Sequence, residues 1–144
     1  MSAQVQTPPQ APVMTYDQLL ERVRYDGAYP TRDRAERTVR IVLAALGRQL
    51  TGDERSELAA YLPAEAARIM TDANPGAERL TGWGFVKDLA TRTGGTPATT
   101  RWDAGTVLAL VAHLAGNDLL DRVLAQLPPG YALLFGRAEL IQAA

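Results

Sequence analysis

The chain has 144 residues, of which 47% are hydrophobic and 22% charged, and its formal net charge is −1. This composition is typical of a globular domain, and a nearly neutral chain has no overall field that attracts nucleic acid or an acidic membrane. Because there is no cysteine, disulfides, cysteine-ligated metals and thiol catalysis are excluded. Arginine outnumbers lysine 14 to 1, which we interpret as the coding bias of a GC-rich bacterial genome.

The first part of the chain predicts neither a secretory signal nor a membrane anchor. Residues 1–13 contain three prolines and no lysine or arginine, so we expect a disordered tail there. The longest mainly apolar run, Ala104 to Ala112, is about half as long as the roughly 20 residues of a membrane helix. We therefore expect a soluble, cytoplasmic protein with no membrane partner.

Two capping patterns predict the first two helices. The segment Thr15-Tyr-Asp-Gln18 has the form of a capping box, and the helix that it opens is expected to end at Gly27 in a left-handed C-cap. Thr31 is the predicted N-cap of the next helix.

The strongest helical pattern is AERTVRIVLAALGRQL, from Ala35 to Leu50. Steps of three and four residues place its apolar positions on one stripe of a helix, while Arg34, Arg37 and Arg40 lie off that stripe. The stripe consists of Ala35, Val39, Val42, Leu43, Leu46 and Leu50. We predict that neighbouring helices pack on it.

Two shorter helices and a linker follow in the sequence. Thr51-Gly-Asp-Glu54 predicts a second capping box, which opens a helix that Pro63 ends. Proline suits the first position of a helix, so a further helix is predicted from Pro63 to Met70. The turn-forming segment Asn74-Pro75-Gly76 lies in the predicted linker, residues 72–82.

The second half repeats this order of elements. Gly94-Gly95-Thr96-Pro97 predicts a break, and Trp102 to Leu114 is the counterpart of the central helix. That helix is apolar nearly all round, which predicts fuller burial than in its counterpart. Asn117 is the predicted cap of the next helix, and Leu127-Pro128 repeats Leu62-Pro63 at an offset of 65 residues.

These patterns predict an all-α fold of about eight short helices in two pseudo-repeated four-helix units that pack together as one compact domain. The predicted first repeat is residues 14–71, and the second is residues 83–144. We find no alternating run flanked by hairpin turns, so no strand is predicted.

With their spacing, the two copies resemble the bacterial family known as domain of unknown function 2267. The resemblance covers about Met14 to Leu140 and rests on TYDQLLERV, RAERTVRIVLAALGRQLTGDE, the Leu-Pro pairs and AQLPPGYALLF. It implies an all-helical, duplicated domain in a bacterial cytoplasm, and it supplies no activity and no functional residues. The stretch GWGFVKDLATRTGGTP departs from the family pattern, because it is rich in glycine and threonine where acidic or helix-favouring residues are expected.

Residues Leu19 to Leu50 also resemble the N-terminal helical hairpin of HU-type DNA-binding proteins. In those proteins this hairpin mostly makes the dimer interface, and β-ribbon arms hold the DNA. No segment of this chain resembles such an arm.

Few residues are candidates for catalysis. His113 is the only histidine, and we interpret it as a partly buried or helix-end residue near a negative helix C-terminus. Ser56 lies on a predicted helix and not on a nucleophile turn, and no Glu-x-x-His motif accompanies Asp53 and Glu57. We predict no enzyme and no catalytic, cofactor-binding or metal-binding residue.

The candidate nucleic-acid face is formed by Arg34, Arg37 and Arg40. Seven arginines and five carboxylates between residues 16 and 50 leave about two positive charges, and we expect Asp33–Arg37 and Glu36–Arg40 pairs to neutralise much of this charge. The remaining charge could contact phosphates.

Two tryptophans and a glycine turn complete the candidates. Trp83 and Trp102 could stack on a base or ligand, although packing between helices is the commoner use of tryptophan. Gly94-Gly95-Thr96 is too short for a phosphate loop and is interpreted as a turn.

Three functions are consistent with the sequence. The first hypothesis is a non-enzymatic interaction module whose partner is another protein or a second copy of itself. The alternative is an accessory nucleic-acid-associated protein that uses the arginine face. An enzyme or small-molecule binder ranks third, because it would need a pocket with convergent polar groups.

Overall fold

A computed structural model describes residues 14–74, 76 and 78–137, and these residues form helices joined by short turns. No strand occurs among them, so the fold is all-α, as predicted. The predicted tail at residues 1–13 and the end of the second repeat after residue 137 lie outside the described residues. The eight helices of the described part are α1 (Tyr16–Gly27), α2 (Arg32–Gln49), α3 (Gly52–Ala60), α4 (Ala64–Asp72), α5 (Gly82–Thr93), α6 (Pro97–Ala115), α7 (Asn117–Gln126) and α8 (Tyr131–Leu134).

Threonine side chains cap the first two helices, as predicted. The hydroxyl of Thr15 accepts a hydrogen bond from the backbone N–H of Gln18 at 3.1 Å, and the Gln18 side chain completes the capping box. Thr31 accepts in the same way from the N–H of Arg34 at 3.1 Å. These bonds satisfy N–H groups that a helix start leaves without an intrahelical partner.

The capping box predicted at Thr51 is wrong. Thr51 is the N-cap of α3, but its side chain makes no capping hydrogen bond. The side-chain amide of Gln126, at the end of α7, lies here instead. It accepts from the Thr51 N–H at 3.1 Å and donates to the Thr51 carbonyl at 3.3 Å and to Glu54 Oε1 at 3.1 Å. A residue 75 positions away therefore organises the start of α3.

The end of α1 differs from the prediction at two adjacent residues. Ala28, and not Gly27, takes the left-handed conformation, with φ of 57°. Gly27 is the last helical residue, and a Cβ atom there would lie 2.1 Å from Cε2 of the Tyr29 ring. Glycine is therefore required at position 27 by the packing of Tyr29 and not by its own backbone dihedrals.

The predicted apolar stripe of α2 is buried at every position. Helix α2 packs against α1, α4, α5 and α6, and α6 also contacts α1, α5, α7 and α8. The fuller burial predicted for α6 is wrong, since eight of its 19 residues are buried against nine of 18 in α2. The outer side of α6 leaves Trp102, Ala109 and His113 exposed.

The second half of the chain differs from the prediction in the N-cap of α7 and in the length of the segment that precedes α5. Helix α5 forms over 12 residues despite its glycines, and Gly82 allows close approach to the turn before α8, since a Cβ there would lie 2.5 Å from the Gly130 carbonyl carbon. Gly116, with φ of 85°, takes the N-cap position predicted for Asn117, and Asn117 is the first residue of α7. The segment that connects the halves is residues 73–81, one residue shorter at each end than predicted.

Both halves contribute to one buried cluster. Helix α1 packs on α6, α2 on α6, and α3 on α7. Helices α1 to α4 have 12, 18, 9 and 9 residues, and helices α5 to α8 have 12, 19, 10 and 4. Buried residues recur at the predicted offset of 65 residues, as in Leu43 and Leu108 or Leu62 and Leu127. The internal repeat itself stays a prediction. None of the helices in the described residues is long and apolar enough to cross a membrane.

Candidate binding groove

A groove of about 1080 Å³ lies between α2 and the corner where α5 ends and α6 begins. One wall is the face of α2 from Arg34 to Arg48. The last turn of α5, the following turn and the first turns of α6 form the facing wall, and the residues after α1 close one side. We refer to this feature as the arginine groove.

The arginine groove contains all three predicted face residues, Arg34, Arg37 and Arg40. Arg48 and Arg92 also line it, which gives five arginines against one carboxylate, that of Asp103. Arg48 was not predicted as a face residue, although it lies 11 residues after Arg37 and so on the same face of α2. Arg92 was not predicted either, because only tertiary packing brings α5 to this side of α2.

The neutralisation predicted for this face is only partly correct. Arg40 pairs with Glu36 at 3.3 Å, as predicted, and Arg92 pairs with Asp88 at 2.8 Å. The predicted Asp33–Arg37 pair does not form. Within the described part of the chain, three of the five arginines have no carboxylate within 4.0 Å: Arg34, Arg37 and Arg48.

The positive charge of Arg92 acts on Arg48, and both residues line the groove. Partial burial lowers the pKa of the Arg48 guanidinium, the positive charge of Arg92 lowers this pKa further, and Asp88 opposes the change. Two like charges therefore line one groove from α2 and α5. An anion bound between them would reduce this repulsion and gain charge-assisted hydrogen bonds.

A buried phenol fixes the single carboxylate of the groove. The Tyr29 hydroxyl donates to Asp103 Oδ1 at 2.5 Å, and Tyr29 is 7% exposed. Burial, followed by this hydrogen bond, raises the pKa of Tyr29 well above its ordinary value. The phenol therefore remains protonated and ties the segment after α1 to α6, so Asp103 has a structural partner.

Trp102 lies at the rim of the groove. Its Nε1–H donates to the carbonyl of Gly27 at 3.0 Å, yet the residue is 56% exposed. Trp83, outside the groove, is 60% exposed. Neither tryptophan is thus packed fully between helices, and Trp102 presents a fixed aromatic ring at the rim of the groove.

Of the other sequence candidates, Gly95 of the glycine turn lines the groove, whereas His113, Ser56 and Glu57 lie apart from it. His113 is exposed in the last turn of α6, and Ser56 is exposed on α3. Glu57 accepts a hydrogen bond from Arg122 at 2.6 Å, and this bond lowers the pKa of its carboxyl. In the described ranges, no group of three or more histidine, aspartate or glutamate side chains could hold a metal ion.

The fold and the groove define an all-α protein with an arginine-lined groove. The model of the family DUF2267, described as an uncharacterized conserved protein, matches residues 16–134. The chain therefore belongs to this family, as its sequence predicted. No curated protein matches the chain.

Proposed function

We propose that this protein is a non-enzymatic interaction module that holds a protein partner in the arginine groove. The observation that carries the proposal is the length of the groove together with its charge. The groove runs along α2 from Arg34 to Arg48. At a rise of 1.5 Å per residue, this stretch of helix is about 21 Å long. This length suits a segment of polypeptide better than a compact metabolite.

The lining of the groove supports binding more than catalysis. The groove does bring polar side chains together, which is the condition for a small-molecule site. Among the described residues that line it, however, Asp103 is the only carboxylate and no histidine, cysteine or lysine occurs. General acid–base catalysis depends on such groups, and the Tyr29 hydroxyl already occupies one oxygen of Asp103.

We further propose a cytoplasmic, bacterial setting and a duplicated origin for the two halves. The absence of cysteine fits a reducing compartment. The resemblance from which the family was predicted is to bacterial proteins, and the recurring order of helix lengths supports the duplication.

Affinity capture with matched variants tests the proposed function. The tagged full chain is exposed to nuclease-treated lysate of its source organism beside the double variant Arg37→Gln/Arg48→Gln. The control is Arg68→Gln, which changes an exposed arginine of α4 outside the groove. We expect the unchanged chain and the control to capture one partner protein at a constant ratio of partner to tagged chain. The double variant should capture at least about tenfold less of this partner.

The outcome that contradicts the proposal is equally specific. A partner that binds the unchanged protein, the double variant and the Arg68→Gln control to the same extent would show that the groove is not the interface. A monomeric chain that captures no protein would remove the proposal entirely.

Nucleic-acid association is the second candidate, and it is supported by the presence of Arg34, Arg37 and Arg40 in one groove. Binding of a labelled oligonucleotide should then weaken steeply as salt rises, because arginine–phosphate contacts release counterions. Changing the three arginines to glutamate should abolish this binding. If the triple variant binds as well as the unchanged chain, the candidate is wrong.

A further inference from the structure

We infer that the partner segment is an acidic peptide with at least one apolar side chain between its carboxylates, and this inference rests on the proposed function. Charge is the first argument. Five arginines line the groove against Asp103, and the flanking partners Glu36 and Asp88 raise the count of carboxylates to three. The groove therefore keeps an excess of about two positive charges, which selects an anionic occupant.

The arrangement of the guanidinium groups favours discrete carboxylates. Arg37 lies near the start of the α2 wall, whereas Arg48 lies at its end and lines the groove together with Arg92 of the facing wall. A guanidinium pairs with a carboxylate through two parallel hydrogen bonds. The two positions are 11 residues apart, or about 16 Å along the helix axis.

Apolar surface separates these two positive positions. Ile41 and Ala44 are half-buried on the α2 wall, and the facing wall contributes the exposed side chain of Ala98. An occupant that places an apolar side chain here gains roughly 25 cal/mol for each Å² that it removes from water. A phosphate backbone offers no such group.

The aromatic content of the groove also favours a peptide over a single-stranded nucleic acid. Strand-binding grooves stack successive bases on several aromatic rings. Among the described lining residues only Tyr29 and Trp102 are aromatic, and Tyr29 is buried and hydrogen-bonded to Asp103. One exposed ring cannot stack a run of bases.

The spacing of the arginines predicts the spacing of the ligand. An extended chain rises about 3.4 Å per residue, so carboxylates that reach Arg37 and Arg48 are about five residues apart. The expected ligand is an extended segment with two acidic residues at this separation and an apolar residue between them.

An unbiased selection tests the inference. A displayed library of random peptides is selected on the full-length protein after depletion on Arg37→Gln/Arg48→Gln. We expect the enriched peptides to contain paired Asp or Glu residues about five positions apart around an apolar residue. Enriched peptides without acidic residues, or no enrichment at all, would overturn the inference.

The affinity of a selected peptide is then measured in solution with the Trp83→Phe variant. Trp102 is the only tryptophan of this variant, so its fluorescence reports on binding at the rim of the groove. Replacing the peptide's acidic residues with glutamine or asparagine should weaken binding about tenfold or more, as should Arg37→Gln/Arg48→Gln in the protein. Arg68→Gln should leave affinity unchanged. Equal affinity of the acidic and the amide peptide would contradict the inference.

Two further measurements separate the possible failures. The Arg37→Lys/Arg48→Lys variant keeps the positive charges but loses the bidentate geometry. Its affinity for the acidic peptide should therefore lie between those of the unchanged protein and the glutamine variant. Circular dichroism shows whether each variant keeps its helices. If no acidic peptide binds but the lysate partner still depends on Arg37 and Arg48, the inference fails while the proposed function stands. If only an oligonucleotide binds the groove, both fail and the nucleic-acid candidate replaces them.

Discussion

Glycine and alanine occupy unexpected positions at the end of α1. Ala28 has a positive φ of 57°, a conformation that glycine adopts more readily, while Gly27 is helical and buried against the Tyr29 ring. The phenol of Tyr29 is held by Asp103, so the ring cannot turn away without breaking that hydrogen bond. The two residues are therefore not interchangeable.

Two single substitutions test this assignment. Ala28→Gly relieves the left-handed strain and should raise the free energy of unfolding by about 1 kcal/mol, or about 3 °C in Tm. Gly27→Ala should lower it by about 1–3 kcal/mol, because the added Cβ overlaps the Tyr29 ring. Thermal unfolding followed by circular dichroism measures both, and a stabilising Gly27→Ala would show that the Tyr29 ring moves freely.

At the scale of the helices, two threonines that look alike in the sequence behave differently. Thr31 caps α2 through its hydroxyl, whereas α3 depends on the Gln126 amide, which bonds the backbone of Thr51. A local motif shows where a helix can begin, but it does not reveal that a distant side chain replaces the expected cap.

Matched alanine substitutions distinguish the two kinds of cap. Thr31→Ala should cost about 1 kcal/mol of unfolding free energy, because it removes a side-chain capping bond. Thr51→Ala should cost far less, while Gln126→Ala should destabilise the chain by an amount similar to Thr31→Ala. Urea unfolding of the three variants makes the comparison. If Thr51→Ala proves as costly as Thr31→Ala, the Gln126 cap does not operate in solution.

Local patterns were sufficient to predict most of the helices. Period and capping residues predicted α1 and α2 with their threonine caps. The start of α6 was predicted at Trp102, but the helix begins at Pro97, directly after the predicted glycine break. Burial around α6 was predicted poorly, since the apolar pattern of one helix does not show which neighbours cover it. Helix α8, with four residues, is shorter than α4, with nine.

At the scale of the molecule, the sequence predicted one wall of the groove and not the other. Arg34, Arg37 and Arg40 share a face of one helix, and helical period alone brings them together. Arg92 and Trp102 reach the same groove only through the packing of α5 and α6 on α2. Such long-range proximity is not encoded in any local pattern.

The shared core predicts that neither half folds alone. Helices α2 and α6 bury their apolar stripes partly on each other, and α3 packs on α7. A fragment of residues 1–75 and one of residues 76–144 should each show little helix by circular dichroism, while an equimolar mixture should recover part of the helical signal. A fragment with cooperative unfolding on its own would contradict this prediction.

The polar links between the halves also bear on how the chain acquires its structure during synthesis. Gly27 with Trp102, Tyr29 with Asp103, Thr51 with Gln126 and Glu57 with Arg122 join positions 65 to 75 residues apart. Contacts between such distant positions slow folding, since the entropy of closing the intervening chain is lost before the contact forms. The start of α3 lacks its cap until Gln126 has left the ribosome. We therefore expect a nascent chain that stays sensitive to proteases until Arg122 and Gln126 have emerged from the ribosome.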